Sequence, residues 1–387
     1  MQYVGIDYHK QYSVVTSIDK ETGERKTARV SNTLEAFQGC IPHIDESHVV
    51  FEASRTWPYI YELLKSHVGQ ISMAHPLRVK AIASARIKTD KIDSRILAEL
   101  LAADLIPEAH IRDDANRTHQ SIVRQRIFFV ESRTRVKNRF HVLIDRQPNP
   151  VKKQVAGLSD LFGKAGREWL RHHAPLSHVD RILMNQLLAI YDTLTEVIGQ
   201  SDRQIDRMYR EDPVAQLLAS IPGIGKFLSV VISVELDDIS RFADANKLAS
   251  YTGLIPSTYS SGSVTRHGRI TKQGNKWLRW AFIEAAVTAK NHNAQLNEYY
   301  TGLLARKGNM KARVALARRL VKIAYSIITH NRAFQPYMKA GFHAIPLESP
   351  CCGTNGTKGS RSQKGKGTQV SYCTMCVIPD TNRRMIK

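Results

Sequence analysis

Over the first hundred residues, short apolar runs closed by an acid alternate with helical patterns. Tyr3-Val4-Gly5-Ile6 ends in Asp7, and His48-Val49-Val50-Phe51 ends in Glu52. Tyr12 to Ile18 is a β-branched run, Lys20 to Gly23 reads as a turn, and Glu24 to Val30 returns beside it. Asn32 or Thr33 can cap a short helix through Ile41. Tyr59, Ile60, Leu63 and Leu64 share one helical face, and Gln70 to Ala74 is a fifth strand. Early hairpins followed by β-α-β-α give the order of an RNase H-like α/β sheet.

Residues 94–146 read as helix, increasingly basic. Arg117, Arg124, Arg126, Arg133, Arg135, Lys137, Arg139 and Arg146 interleave with Ile122, Ile127, Phe128, Val130, Val136, Phe140 and Leu143. The apolar set packs, and the cations outnumber nearby acids, which points to a nucleic-acid backbone. Pro148 and Pro150 stop the helix.

Residues 176–210 predict another helix, on which Leu183, Leu187, Ile190, Leu194 and Val197 recur at four-three spacing. Either this seam packs within its own chain or it forms a protruding antiparallel coiled coil that dimerises. Residues 213–335 form a second, mainly α unit. There Ser220-Ile221-Pro222-Gly223-Ile224-Gly225 joins two apolar helical runs. The pattern is that of a helix-hairpin-helix element, in which Gly223 and Gly225 open backbone N–H groups to a phosphate; a plain helical turn is the alternative. The expected divisions are an α/β domain with its basic helix at 1–150, coiled-coil helices at 151–212, a second unit with the helix-hairpin-helix at 213–338, and a basic tail at 339–387. The Gly-, Ser-, Lys- and Thr-rich tail is expected to be disordered. It holds Cys351-Cys352 and Cys373-x-x-Cys376. Adjacent cysteines suit a tetrahedral zinc site poorly, so structural zinc is not favoured.

Charge sharpens the picture. Of 387 residues, 56 are Lys or Arg and 35 are acids, a net charge of +21 and a pI near 9.8. Such a chain is expected to meet polyanions, and phosphate contacts supply most non-specific affinity. No apolar run approaches the roughly 20 residues of a membrane helix. The chain enters a strand at once, unlike a signal peptide. Five cysteines make no disulfide framework for this length, so a reducing cytoplasm is expected.

The candidate chemistry lies in four acids. Asp7 and Glu52 end strands, where active sites of open sheets form. Asp90 and Asp93 stand three apart in Lys88-Thr89-Asp90-Lys91-Ile92-Asp93 and share a helical face. Together they could hold two Mg2+ ions, which clamp the attacking and leaving oxygens of a phosphodiester. In the second unit, Ser260-Ser261-Gly262 is followed by Arg266, Arg269, Lys272, Lys276 and Arg279. A serine hydroxyl within this cationic collar could attack phosphorus.

These residues resemble one family in order and wording: Val4-Gly5-Ile6-Asp7-Tyr8-His9-Lys10, Glu52-Ala53-Ser54, Lys88 to Ser94, Ile221 to Gly225, Tyr251-Thr252-Gly253-Leu254-Ile255-Pro256, Ser260-Ser261-Gly262, and Gly268 to Asn275. The chain is similar to DEDD transposases of the insertion-sequence one-ten family, described also as bridge-RNA-guided recombinases, over about residues 1–335. The resemblance implies a RuvC-like N-terminal domain with Asp7, Glu52, Asp90 and Asp93 as metal ligands. It implies Ser261 as nucleophile, with Ser260 the alternative. It further implies donor and target DNA as substrates, a structured noncoding guide RNA, dimers assembled into tetramers, and a bacterial or archaeal cytoplasm beside the nucleoid. An RNase H-like nuclease using water and a non-catalytic nucleic-acid-binding protein are the competing functions.

Overall fold

A computed structural model of the protein describes residues 1–83, 89–158, 160–261 and 264–335, with the backbone alone at 149–152. β1 (Gln2–Tyr8) pairs antiparallel with β2 (Tyr12–Asp19), which pairs antiparallel with β3 (Arg25–Ser31). Thr33 caps α1 (Leu34–Cys40), its side chain accepting from Ala36 N. β4 (His48–Glu52) then adds parallel to β1, and β5 (Gln70–Ala74) parallel to β4, with α2 (Trp57–Leu64) between them. The order β3-β2-β1-β4-β5 fits the strand succession read from the sequence.

Alternation along the strands fills both faces. Val4, Ile6, Val49 and Phe51 pack with Phe37, Ile60 and Leu64 on the α1–α2 side. Val50 and Ala74 pack on the other side with Leu97, Leu100 and Leu101 of α4 (Asp90–Ala102), which follows α3 (Pro76–Ile82). Helix α4 lies almost on the backbone of β1. A Cβ on Gly5 would fall 2.2 Å from the Ser94 carbonyl oxygen and 2.5 Å from Ala98 N. Only glycine permits that approach.

The helical stretch expected over 94–146 is interrupted. Asp104 takes a left-handed conformation at φ 56°, and Pro107 follows, so α4 cannot continue. Residues 107–109 instead border β5, through His75 N to Pro107 O at 2.9 Å and Ala109 N to Met73 O at 2.7 Å. Helix α5 (Asp114–Asp145) restarts at Asp113, whose carboxylate accepts from Asn116 N. Pro148 and Pro150 behave as read at the end of α5, but they also open the next helix, α6 (Asn149–Ala156).

After α7 (Lys164–Glu168) and a π-helical turn at Trp169–His173, α8 (His178–Glu211) runs back along α5. Met184, Leu188 and Tyr191 bury against Phe140, Leu143 and Ile144. The buried face is therefore one residue round from the expected seam, and Leu183 and Ile190 remain 37% and 50% exposed. The apolar stripe is wide enough for either register, and contact with α5 selects the inner one.

The rest is helical apart from one ribbon. It comprises α9 (Pro213–Leu218), α10 (Lys226–Leu236), α11 (Ala245–Tyr251), β6 (Pro256–Ser261), β7 (Val264–Ile270), α12 (Lys276–His292), α13 (Ala294–Lys307) and α14 (Asn309–His330). Val230, Leu278, Phe282, Leu316 and Leu320 centre its core, which Val123 and Ile127 of α5 enter. By packing, α5 thus belongs to this core and to the α8 cluster as much as to the sheet. Residues Met1–Pro336 hold together as one unit. The expected disordered tail and its four cysteines lie outside the described residues. Among the described residues, no helix is long and apolar enough to cross a membrane.

Candidate active site

The sheet and α4 bring the four acids to one side. Pairing β1 with β4 sets Ile6 opposite Phe51, so Asp7 and Glu52 are the next residues on adjacent parallel strands. Each is two residues beyond a position that faces α4, Gly5 and Val50, so both point to the α4 side. On α4, Thr89 caps the first turn, its hydroxyl accepting from Ile92 N at 3.3 Å. Asp90 and Asp93 therefore begin the helix on the face that continues into Leu97 and Leu100. Below them Ser94 is fully buried, its hydroxyl 2.9 Å from that of Thr16 on β2.

One group in this cluster was not among the expected ligands. His9 sits in the β1–β2 turn, fixed by its N–H to Tyr12 O at 3.0 Å and by Asn32 Nδ2 donating to its carbonyl at 2.8 Å. Its Nε2 lies 3.2 Å from Asp7 Oδ2 and 3.2 Å from Asp90 Oδ2. They are close approaches, since the same nitrogen has no aligned hydrogen-bond partner. Tyr12 OH donates to Asp90 Oδ2 at 3.0 Å, and the Arg29 guanidinium covers the Tyr12 ring at 3.7 Å.

Burial pushes the Asp7 carboxyl above the usual carboxylate range; His9 pulls it back, and the Asp90 and Asp93 charges push it further up. Two like charges gathered beside a half-buried carboxylate invite a cation. One ligand atom each from Asp7, His9 and Asp90 falls within 4.8 Å of the others. Oxygen-rich donors of this kind fit a hard divalent ion.

The expected serine loop is a two-stranded ribbon. Ser260 and Ser261 close β6, paired with Thr265 and Val264 of β7; Gly262 lies outside the described residues. Ser260 and Ser261 are exposed. The Ser260 hydroxyl is 3.0 Å from that of Thr265. Arg266 and Arg269 are exposed on β7, and Lys272 is exposed just beyond it.

Other members of the collar hold the ribbon's base. Arg279 donates to Thr252 O and to Lys272 O, both at 3.1 Å. Lys276 lies over the Trp277 ring at 4.7 Å. Asn275 caps α12 and donates to Glu235 Oε2 at 2.7 Å. Glu235 is fully buried and also receives Arg124 Nε at 2.7 Å and Gln120 Nε2 at 3.1 Å. As an acid closing an apolar helix it reads as a surface charge, and only packing reveals it as a junction.

The cations of α5 divide into two groups. Arg117 meets Glu62 and lies over Trp57, Arg124 meets Glu235, and Arg126 meets Asp202 at 2.9 Å and covers Phe227 at 4.0 Å. Arg133 and Lys137 lie over Tyr191. Arg135 and Arg139 are exposed. Gly223, at φ +86°, is explained by packing, because a Cβ there would lie 2.4 Å from Ala285 O and 2.6 Å from Ala289 N. Gly225, the N-cap of α10, is open around its Cα.

Residues 4–147 match a transposase family model of the DEDD type, and residues 215–301 match that described as "Transposase IS116/IS110/IS902 family". The chain is similar to a "Pilin gene-inverting protein" of Moraxella bovis, 27% identical across 86% of this chain and 97% of that protein. It is similar to the "Transposase for insertion sequence element IS1328" of Yersinia enterocolitica, 24% identical across 68% and 78% of the two chains. A shorter match, 34% identical across 40% of this chain and 38% of the other, is to an uncharacterized protein of insertion element IS116 from Streptomyces clavuligerus.

Proposed function

This chain belongs to the IS110-type DEDD transposases, DNA-rearranging enzymes, and on that premise we propose that it cuts and rejoins DNA through a serine-linked intermediate. Asp7, Glu52, Asp90 and Asp93 hold divalent metal, most simply two Mg2+ ions. That metal would neutralise phosphate charge and favour an ionised oxygen nucleophile. The observation that carries the reading is the placement of acids from β1, β4 and α4 on one side of the sheet, with Asp7 raised by burial and further by the Asp90 and Asp93 charges.

In the reaction, the Ser261 hydroxyl oxygen bonds to phosphorus and loses its proton. The bond from phosphorus to one deoxyribose oxygen breaks, and that oxygen leaves protonated. Religation reverses these steps with a new deoxyribose hydroxyl as attacker, so one phosphodiester is exchanged for another. Exposed Arg266 and Arg269 hold phosphate charge beside the serine. Ser261 is preferred to Ser260 because Ser260 is engaged by Thr265. The ribbon and the acids come from separate parts of the chain, and they meet between subunits of a dimer or tetramer. A structured RNA of the element guides both DNA partners, in keeping with the resemblance and with the chain's net charge of +21. Exposed Arg135 and Arg139, with Lys226 at the start of α10 beside Gly225, follow nucleic-acid backbone. The relatives named for gene inversion and for transposition share this need to cut and rejoin.

The test is to trap protein–DNA adducts in the presence of Mg2+ and map the linked residue by mass spectrometry. Linkage at Ser261 supports the reading. Strand cleavage with no linked protein residue would return it to a water-using nuclease.

A further inference from the structure

The two faces of the ribbon differ. Residues directly opposite in an antiparallel pair project to the same side. Thr258 is opposite His267 and Ser260 opposite Thr265. Their side chains satisfy one another, Thr258 Oγ1 to His267 Nδ1 at 3.1 Å and Ser260 Oγ to Thr265 Oγ1 at 3.0 Å. On the other face Tyr259 is opposite Arg266 and Ser261 opposite Val264. That face turns an aromatic ring, a guanidinium and a hydroxyl outward. Tyr259 is 72% exposed and Val264 54% exposed. A shallow groove along the ribbon is lined by Tyr259, Ser261, Val264 and Arg266, with Thr258 and Ser260 at its other side.

We propose that Tyr259 and Arg266 form a binding site for one unstacked nucleotide of a DNA strand, beside Ser261. The inference rests on the reading of Ser261 as nucleophile and adds how the strand is presented to it. The ring offers a stacking surface that every base can use, and the guanidinium offers paired donors to a phosphate. Two residues along a strand span about 7 Å. A base on Tyr259 therefore leaves its neighbouring phosphate within reach of Ser261, two positions on. In an intact duplex the faces of each base are covered by its neighbours, so the site selects a strand locally unstacked or displaced. Val264 widens the apolar floor for the same base.

The test uses the full chain and a short single-stranded DNA carrying one 2-aminopurine, whose fluorescence falls when it stacks. An RNA of the same sequence is the comparison. Tyr259→Ala is expected to weaken DNA binding about tenfold and to restore fluorescence, with the salt dependence unchanged. Tyr259→Phe should retain affinity and quenching. Arg266→Ala should instead lower the salt slope by about one. Wild-type affinity and quenching in Tyr259→Ala would overturn the inference, as would an effect confined to RNA. Thermal melting should be unaltered in Tyr259→Ala, since the ring is mostly in solvent. The serine reading fails separately: Ser261→Ala keeps binding and quenching under this proposal, and only adduct mapping tests its chemistry. An adduct at Ser261 together with an inert Tyr259→Ala would remove this inference alone.

Discussion

The acidic cluster and the serine ribbon are built in opposite ways. The acids stand at the ends of buried strands and at the first turn of a helix pressed on β1, so the core fixes their positions. The ribbon projects both its faces into solvent and is held at its base, through Arg279, Asn275 and buried Glu235. One half of the proposed chemistry is preorganised by packing. The other is free to meet a partner and is ordered by a junction beneath it. A charge-stabilising site gains from rigidity, whereas a nucleophile that becomes covalently attached to DNA must reach strands that move.

If packing places the acids, Asp7→Asn should remove strand cleavage by more than about a hundredfold while nucleic-acid binding persists, as read by cleavage and filter-binding assays. Gly5→Ala should approach this effect without touching an acid. The added methyl meets the backbone of α4, which cannot give way as a side chain would. A stability loss of about 2–3 kcal/mol in chemical denaturation should accompany lost cleavage. Wild-type stability would show that α4 does not rest on β1.

The ribbon's base gives a contrasting case. Glu235→Ala strips the shared acceptor from Arg124, Gln120 and Asn275. The Arg124 side chain is 38% exposed and can recover water, so the expected cost is about 2–3 kcal/mol, at the low end for a broken buried pair. Adduct formation should fall while Mg2+ still raises the melting temperature, because the ribbon loses its footing while the sheet does not. Loss of the Mg2+ effect as well would make Glu235 a general core residue.

A smaller effect follows from Asp7 itself. Its folded carboxyl titrates higher than in the unfolded chain. The linked stability is therefore present below the unfolded value and is lost as pH rises through the folded one. Metal-free Asp7→Asn protein should melt roughly 1–3 °C higher than wild type at neutral pH, and the gap should close under acid conditions. Mg2+ should stabilise wild type and not the variant. Smallest of all, Ser260→Ala should leave adduct yield near wild type, with stability within about 0.5 kcal/mol.

The sequence was most legible where burial imposes a period. β1, β4 and β5 were readable from apolar runs, and Asp7 and Glu52 from the acids that end them. α4 was readable from Thr89 and the i, i+3 acids. The ribbon was not, because both faces meet solvent and Ser-Thr-Tyr-Ser-Ser carries no alternation. His9 was hidden for another reason: its partner Asp90 lies far along the chain, and only the β1–β2 turn and α4 together bring them close. On α8 the stripe was found but its register was not, since adjacent apolar rows compete and the neighbouring helix decides between them.

The proposal that the acids and the serine of one working site come from different subunits meets its most direct test in mixed assemblies. Subunits carrying Asp7→Asn are combined with subunits carrying Ser261→Ala, each inactive alone, and recombination of a donor–target pair is measured. If the halves come from different subunits, some composite sites pair intact acids with an intact serine, and the mixture regains activity. A mixture as inactive as either variant would contradict the account and place a complete site within each chain.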